Sequence, residues 1–196
     1  MVSIQQKNFF TVNSTSVDLN FTLHQAKLNI LMGRNGIGKS TFFNRLKESK
    51  ILDFSVAFMD QFPLCPISEY QVQDLFQIIL EECNGVISQK EVELRYDLKI
   101  DDLLLKNINY LSGGEQQRVK LFCTLMLNRE AVFLDEPFQY LDVESVMVFK
   151  NIFKNLIKEN KTVLIIEHDK SLIEEFDSHF IHMREERDKI EVINGD

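Results

Sequence analysis

The chain has 196 residues, 44% hydrophobic and 27% charged, a balance typical of a globular domain and not of a disordered or fibrous protein. Its formal net charge of −8 argues against a broad surface for nucleic acid or anionic membrane. The three cysteines form no CxxC pair, so we expect neither a disulfide framework nor a zinc site, and a reducing cytosol fits. The sequence pattern predicts neither a secretion signal nor a membrane-spanning helix.

The order of the predicted elements is that of an α/β protein. Apolar runs or alternating apolar residues predict strands, in chain order, at 17–23, 27–32, 54–59, 131–135 and 162–167. Helices separate most of these strands. Such alternation is typical of a mainly parallel sheet that is covered by helices on both faces.

A helical insertion is predicted in the middle of the chain. Between about 61 and 110 the apolar residues keep helical spacing, with Ser68 and Ser88 at two predicted helix starts. We therefore expect one domain in which a helical subdomain interrupts an α/β core. The expected boundaries are 1–61 and 111–196 for the core and about 62–110 for the helical subdomain.

The turn after the second predicted strand has the pattern GxxxxGK[ST]. Glycines allow such a loop to wrap closely, so that successive backbone N–H groups point at phosphate oxygens, and the following helix adds its positive end. Lys39 supplies a charge to the β- and γ-phosphates, and Ser40 offers a hydroxyl to Mg²⁺. We therefore predict binding of a nucleoside triphosphate by Gly33, Arg34, Asn35, Gly36, Ile37, Gly38, Lys39, Ser40 and Thr41.

The predicted strand at 131–135 ends in two adjacent acids, Asp135 and Glu136. In open parallel sheets, ligand groups gather at the carboxyl ends of the strands. Two such acids are costly to bury unless a cation or hydrogen bonds compensate them. We therefore expect Asp135 to hold Mg²⁺ and Glu136 to polarise the water that attacks the γ-phosphate.

The pentapeptide Leu111-Ser112-Gly113-Gly114-Glu115 narrows the class of nucleotide-binding protein. Together with the phosphate loop and the two acids, it resembles the motif set of the ATP-binding cassette (ABC) ATPases. The motifs run in family order from Gly33 to His168, so the resemblance covers the whole chain. It implies a P-loop NTPase core and two copies that face head to tail. ATP would then lie between the phosphate loop of one copy and Ser112, Gly113 and Gly114 of the other.

The resemblance assigns further roles one residue at a time. Gln61 matches the Q-loop glutamine, which senses Mg²⁺ and water and acts as a hinge for the helical arm. His168 matches the switch histidine that reaches the γ-phosphate. Asp142 matches the D-loop aspartate that links the two sites, and it can also cap the next helix. Phe10 is our choice for the aromatic residue that stacks on adenine. Its neighbour Phe9 is one alternative, and an ordinary core position for Phe10 is the other.

The chain departs from the usual family pattern at several points. Gln61 follows Lys39 after only 22 residues, roughly half the usual spacing, so we expect a reduced antiparallel β-subdomain. Glu115 stands where glutamine is commoner, and Glu167 precedes the switch histidine where threonine is frequent. Neither change removes a catalytic group, so we expect hydrolysis. The D-loop reads Phe138-Gln139-Tyr140-Leu141-Asp142 in place of the frequent Thr-Ser-Ala-Leu-Asp.

The leading functional prediction is an ATP-binding and ATP-hydrolysing subunit, with ATP and Mg²⁺, that powers a separate membrane permease. It would pair with itself or with another ABC subunit, lie on the cytoplasmic face of the membrane through the permease, and contact no nucleic acid directly. The alternative is a soluble ABC ATPase that acts on ribosomes, on DNA or in iron–sulfur assembly. A third reading is a nucleotide-gated binding module without turnover.

Overall fold

The computed structural model describes residues 1–60, 70–82 and 89–195. Within these ranges one sheet contains eight strands: β1 (Val2–Val12), β2 (Thr15–Leu23), β3 (Leu28–Met32), β4 (Val56–Met59), β5 (Ala131–Asp135), β6 (Thr162–Ile166), β7 (Ser178–Glu186) and β8 (Lys189–Asn194). The same ranges contain five α-helices: α1 (Lys39–Glu48), α2 (Val72–Glu82), α3 (Gln89–Asp97), α4 (Gly113–Met126) and α5 (Val143–Lys158). The five predicted strands are confirmed, with bounds that differ by at most two residues at either end.

The strand order in the sheet is β1-β2-β8-β7-β3-β6-β5-β4. From β7 to β4 all neighbouring strands run parallel, as the alternation of strands and helices predicts. At the other end, β8 is antiparallel to β7 and parallel to β2, and β1 is antiparallel to β2. The fold is therefore a mainly parallel P-loop sheet with a small antiparallel part, in agreement with the prediction.

The central strands are buried on both faces because they send alternate side chains into two apolar clusters. In β3, Leu28 and Ile30 pack in a cluster that includes residues of α4 and α5, whereas Leu31 packs in a second cluster with residues of α1. In β5, Phe133 joins the second cluster and contacts Phe43 of α1 at a ring-centroid distance of 5.9 Å. Helices thus cover both faces of the sheet, which confirms the predicted layering.

The region between α3 and α4 contains more than helices. It forms two short 3₁₀ turns, at Asp101–Leu103 and Ile108–Tyr110, and Gln71 pairs with Asn107 in an isolated β-bridge. This bridge brings the start of α2 next to the segment that leads into α4. The two predicted capping serines, Ser68 and Ser88, lie outside the described residues, so the boundaries of the helical subdomain stay a prediction.

Three strands, β1, β7 and β8, were not predicted from the sequence. The pairing of β1 with β2 shifts register between Gln6 and Phe10, and this bulge breaks the alternation that identifies a strand. Strand β7 ends in three exposed charged residues, Arg184, Glu185 and Glu186, which mask its apolar half. Among the described residues, no helix is both long enough and apolar enough to cross a membrane.

Candidate functional site

The phosphate loop connects the carboxyl end of β3 with the first turn of α1. Gly36 and Gly38 have φ values of 78° and 106°, in the left-handed region that favours glycine. A Cβ atom at Gly38 would also lie only 2.7 Å from Cγ2 of Val12, so a side chain at this position would collide with β1. The sequence thus forms the tight turn that exposes the backbone N–H groups at the start of α1.

Lys39, the first residue of α1, turns its side chain back into the loop. Its Nζ donates to the carbonyl oxygens of Gly33 at 2.8 Å and Arg34 at 3.0 Å, and only 7% of the residue is exposed. Burial lowers the pKa of Lys39, while the nearby charges of Glu136 and Asp135 raise it. The ammonium group therefore lies within the loop and close to both acids at the end of β5.

Asp135 is the last residue of β5 and is 4% exposed. Among the described residues nothing donates to its buried Oδ1, and the Ser40 side chain lies beside the carboxylate. Burial raises the pKa of Asp135, and the neighbouring Ser40 hydroxyl partly offsets this rise. A buried carboxylate oxygen without a hydrogen-bond donor, next to a hydroxyl, matches the oxygen ligands that Mg²⁺ prefers. These two side chains fit a magnesium ion.

Glu136 has a left-handed backbone conformation, with φ at 47°. Its N–H donates to the carbonyl of Ile166 at 3.2 Å, which ties it to the end of the neighbouring strand β6. Its Oε1 lies 3.6 Å from Nε2 of His168, and both side chains are partly exposed. Because β5 and β6 are parallel neighbours, their carboxyl ends bring these two predicted catalytic residues together.

Glu167 fixes the backbone that presents His168. Its buried carboxylate accepts hydrogen bonds from the N–H groups of His168 at 2.6 Å and Asp169 at 3.0 Å. From the sequence alone, Glu167 stands out only as a departure from the family pattern.

The predicted signature lies at the start of α4 and forms a capping box. The Ser112 side chain accepts from the N–H of Glu115 at 3.3 Å, and the Glu115 side chain accepts from the N–H of Ser112 at 2.8 Å. Glu115 also accepts from Nζ of Lys106 at 2.6 Å. These hydrogen bonds, that of Lys106 first, lower the pKa of Glu115 to about 2.

The signature glycines pack against the segment that follows Glu136. A Cβ atom at Gly113 would lie 2.7 Å from Cγ of Tyr140, and one at Gly114 would lie 3.0 Å from its carbonyl oxygen. Glycine is therefore required at both signature positions because the next loop approaches so closely.

Asp142, the predicted D-loop aspartate, caps α5 by accepting from the N–H of Ser145 at 2.8 Å, and this bond lowers the pKa of Asp142.

Comparison with known proteins identifies the family. The profile described as ABC transporter matches residues 45–139. The energy-coupling factor transporter ATP-binding protein EcfA of the aster yellows witches'-broom phytoplasma is 30% identical in an alignment that covers 86% of this chain and 70% of that protein. The chain belongs to the ABC ATPase family. A putative ABC transporter ATP-binding protein of Clostridium tetani is 29% identical, but this cassette spans only 39% of its length.

Solved structures agree with the cassette fold. The archaeal ribosome recycling factor aABCE1, solved in complex with the ribosomal stalk protein aP1, superimposes on 98% of this chain with a TM-score of 0.79 and 26% identity, over 39% of its own length. The cassette MJ0796, solved as a dimer bound to ADP and Pi, covers 98% of this chain and 96% of its own, with a TM-score of 0.73 and 20% identity. The second likeness supports the fold alone.

The structure bears differently on two of the residues that are predicted to act at the ATP site, Phe10 and Gln61. Phe10 is 8% exposed and stacks on Phe42 within the core, with 6.4 Å between the ring centroids, whereas Phe9 is only partly buried. The burial of Phe10 favours Phe9 as the residue that can reach adenine. Gln61 lies outside the described residues, so its role stays a prediction. It follows Asp60, which accepts from Nζ of Lys47 at 2.8 Å.

Proposed function

We propose that this cassette binds and hydrolyses ATP as the energy-supplying subunit of a membrane transporter. The observation that carries the proposal is that four side chains lie together where β3, β5 and β6 end: those of Lys39, Asp135, Glu136 and His168. Burial lowers the pKa of Lys39 and the charges of both acids offset part of this effect, while Oε1 of Glu136 lies 3.6 Å from Nε2 of His168. The transporter role is supported by the similarity to EcfA, which is the ATP-binding protein of an energy-coupling factor transporter.

The phosphate loop would hold the phosphates of ATP mainly through its backbone. The N–H groups at the start of α1 and the ammonium group of Lys39 would hold the β- and γ-phosphates. Ser40 and Asp135 would supply oxygen ligands for Mg²⁺, and Gln61 would contribute a third. When bound, the ion supplies positive charge that neutralises the phosphate oxygens. The face of Phe9 or Phe10 would stack on the adenine ring.

Hydrolysis would then depend on Glu136 and His168. Glu136 accepts a proton from the attacking water while the water oxygen bonds to the γ-phosphorus and the bond to the β,γ-bridging oxygen breaks. His168 contacts the γ-phosphate and keeps Glu136 oriented. The products are ADP and inorganic phosphate.

The site would be completed by a second copy or a related subunit. Ser112, Gly113 and Gly114 at the start of α4 expose N–H groups and a hydroxyl but carry no cation of their own, which suits a phosphate that is already held by Lys39 of another copy. MJ0796, which has the same fold, was solved as a dimer. Closure of the two copies around ATP would move the permease through the segment at Gln61.

The location and the partner follow from the transporter role. The cassette would lie in the cytoplasm and attach to the membrane through an integral permease subunit, and its net charge of −8 disfavours direct contact with nucleic acid. A soluble role in translation is the second candidate, which the likeness to aABCE1 favours. Affinity purification from detergent-solubilised cells distinguishes the two. A multi-span membrane protein is the expected partner, and ribosomal proteins in its place would support the second candidate.

The catalytic assignment is tested by Glu136→Gln. The variant keeps the size of the side chain but cannot accept a proton as a carboxylate does. We expect ATP to bind with unchanged affinity and steady-state phosphate release to fall by about 100-fold or more. Hydrolysis by this variant at the wild-type rate would contradict the role of Glu136.

A further inference from the structure

Gln117 connects the helix that begins at the signature with the backbone of the proposed catalytic acid. It lies in α4, five residues after Ser112, which is about 7.5 Å along the helix axis. Its Nε2 donates to the carbonyl oxygen of Glu136 at 3.1 Å, although the two residues are 19 positions apart in the chain. Gln117 is 4% exposed, so water has little access to this bond.

The backbone that Gln117 holds is strained. Glu136 has a φ of 47°, a region that non-glycine residues rarely occupy and that persists only where surrounding contacts enforce it. The N–H of Glu136 donates to the carbonyl of Ile166 in β6, and the Glu136 carbonyl accepts from the N–H of Gln139 at 3.2 Å as well as from Nε2 of Gln117. These hydrogen bonds fix the orientation of the peptide groups on either side of the Glu136 side chain, and the bond from Gln117 ties them to α4.

Stability alone does not explain a glutamine at this position. Its Oε1 is buried, and no group in the described part of the chain donates to it. A buried acceptor without a donor destabilises the folded state, so an apolar side chain of similar shape would serve the helix at least as well. What glutamine provides here, and methionine or leucine cannot, is the N–H that reaches the Glu136 carbonyl.

We propose that Gln117 is a positioning residue: it holds the strained Glu136 backbone so that the carboxylate points at the attacking water. This inference rests on the proposed role of Glu136 in hydrolysis. It also places the orientation of Glu136 under the control of α4, because Ser112 and Gln117 belong to the same rigid helix. A displacement of about 1 Å in a catalytic group can lower a rate by about 100-fold, so loss of this bond should affect turnover strongly.

The test compares Gln117→Met with wild type and with Thr124→Val. Thr124 is a matched control because it is buried in α4 and its Oγ1 donates to a backbone carbonyl, that of Lys120, at 2.8 Å. For Gln117→Met we expect kcat to fall about tenfold or more while KM and the ATP dissociation constant change less than about threefold. Its melting temperature should equal or exceed that of wild type. Thr124→Val should keep kcat within about twofold.

A second readout does not depend on turnover. In the Glu136→Gln background, which removes hydrolysis, adding Gln117→Met should leave ATP-dependent dimer formation unchanged in size-exclusion chromatography. If Gln117→Met does not melt cooperatively, Gln117→Leu makes the same comparison, because it also removes the donating amide without burying a charge.

Two results would overturn the inference. One is a kcat of the folded Gln117 variant within about twofold of wild type. The other is a lower kcat together with weaker ATP binding, a lower melting temperature or a loss of dimer formation. That result would indicate a structural role only. An error in the proposed function would give a different result, because the Glu136→Gln variant alone would then hydrolyse ATP at the wild-type rate.

Discussion

Lys39 shows at the scale of one residue how the phosphate loop keeps a buried cation. Its Nζ donates to two loop carbonyls. Burial lowers the pKa of Lys39, and the charges of Glu136 and Asp135 offset only part of this effect. A triphosphate placed on the loop would favour the charged form further, because an opposite charge within a few ångströms stabilises it. The loop carbonyls therefore position the ammonium group of Lys39 in the structure without nucleotide.

Lys39→Ala should weaken ATP binding by about 10- to 100-fold, since a hydrogen bond to a charged group is worth about 1.5–3 kcal/mol. Isothermal titration calorimetry measures the change. Lys27→Ala is the matched control, because Lys27 pairs with Asp177 just before β3, at the end of the strand opposite the phosphate loop. Equal ATP affinities for Lys39→Ala and wild type would contradict the assignment of the loop.

The two adjacent phenylalanines of β1 should separate in their effects. Phe10→Ala removes a buried ring from the core and should lower the free energy of unfolding by about 3–5 kcal/mol. Phe9→Ala should cost less stability and lower the affinity for ATP, because Phe9 has the more accessible ring. Urea unfolding and calorimetry test both variants. The reverse pattern, in which only Phe10→Ala loses ATP affinity, would assign the adenine contact to Phe10.

At the scale of elements, the start of α4 combines a helix cap with an ion pair. Glu115 closes the capping box with Ser112 and also binds Lys106, and the two functions come from one carboxylate. The family commonly has glutamine here, which could close the box but could not pair with a lysine. Lys106 thus compensates a negative charge that would otherwise lie next to the predicted γ-phosphate contact at Ser112.

Glu115→Gln should keep the capping box and lose the ion pair. Because the pKa of Glu115 in the folded protein is about 2, against an ordinary value of 4.5, its contribution to stability is present above pH 4.5 and is lost as the pH falls towards 2. We expect Glu115→Gln to be less stable at pH 7 by under about 1 kcal/mol, since solvent screens the half-exposed Lys106. Urea unfolding from pH 7 to pH 3 should show this difference shrinking, and a constant difference would contradict the prediction.

Elements with regular apolar spacing were predictable, whereas the contacts between them were not. The strands at β3, β5 and β6 and the phosphate loop follow from local patterns, and so do the two acids at the end of β5. The bond from Gln117 to Glu136, the cap that Glu167 provides and the packing of Tyr140 on Gly113 join residues through the folded backbone. No local pattern carries such information, because it depends on which elements become neighbours.

At the scale of the whole molecule, the strand order explains why distant motifs meet. Strands β5, β6 and β3 are consecutive neighbours in the parallel sheet, so their carboxyl ends place Asp135, Glu136, His168 and the phosphate loop at one edge. The signature belongs to α4, whose start packs instead against the segment around Tyr140. In the proposed composite site, the signature of another copy completes the contacts with ATP.

Light scattering of the Glu136→Gln variant, with and without Mg²⁺ and ATP, tests the composite site most directly. Without hydrolysis the nucleotide remains between the copies, so we predict a mass that corresponds to one chain in the absence of ATP and to two chains in its presence. Adding Ser112→Arg, which places a bulky side chain where the γ-phosphate should sit, should return the mass to one chain. A mass of one chain at saturating ATP, or a tight dimer without nucleotide, would contradict the account.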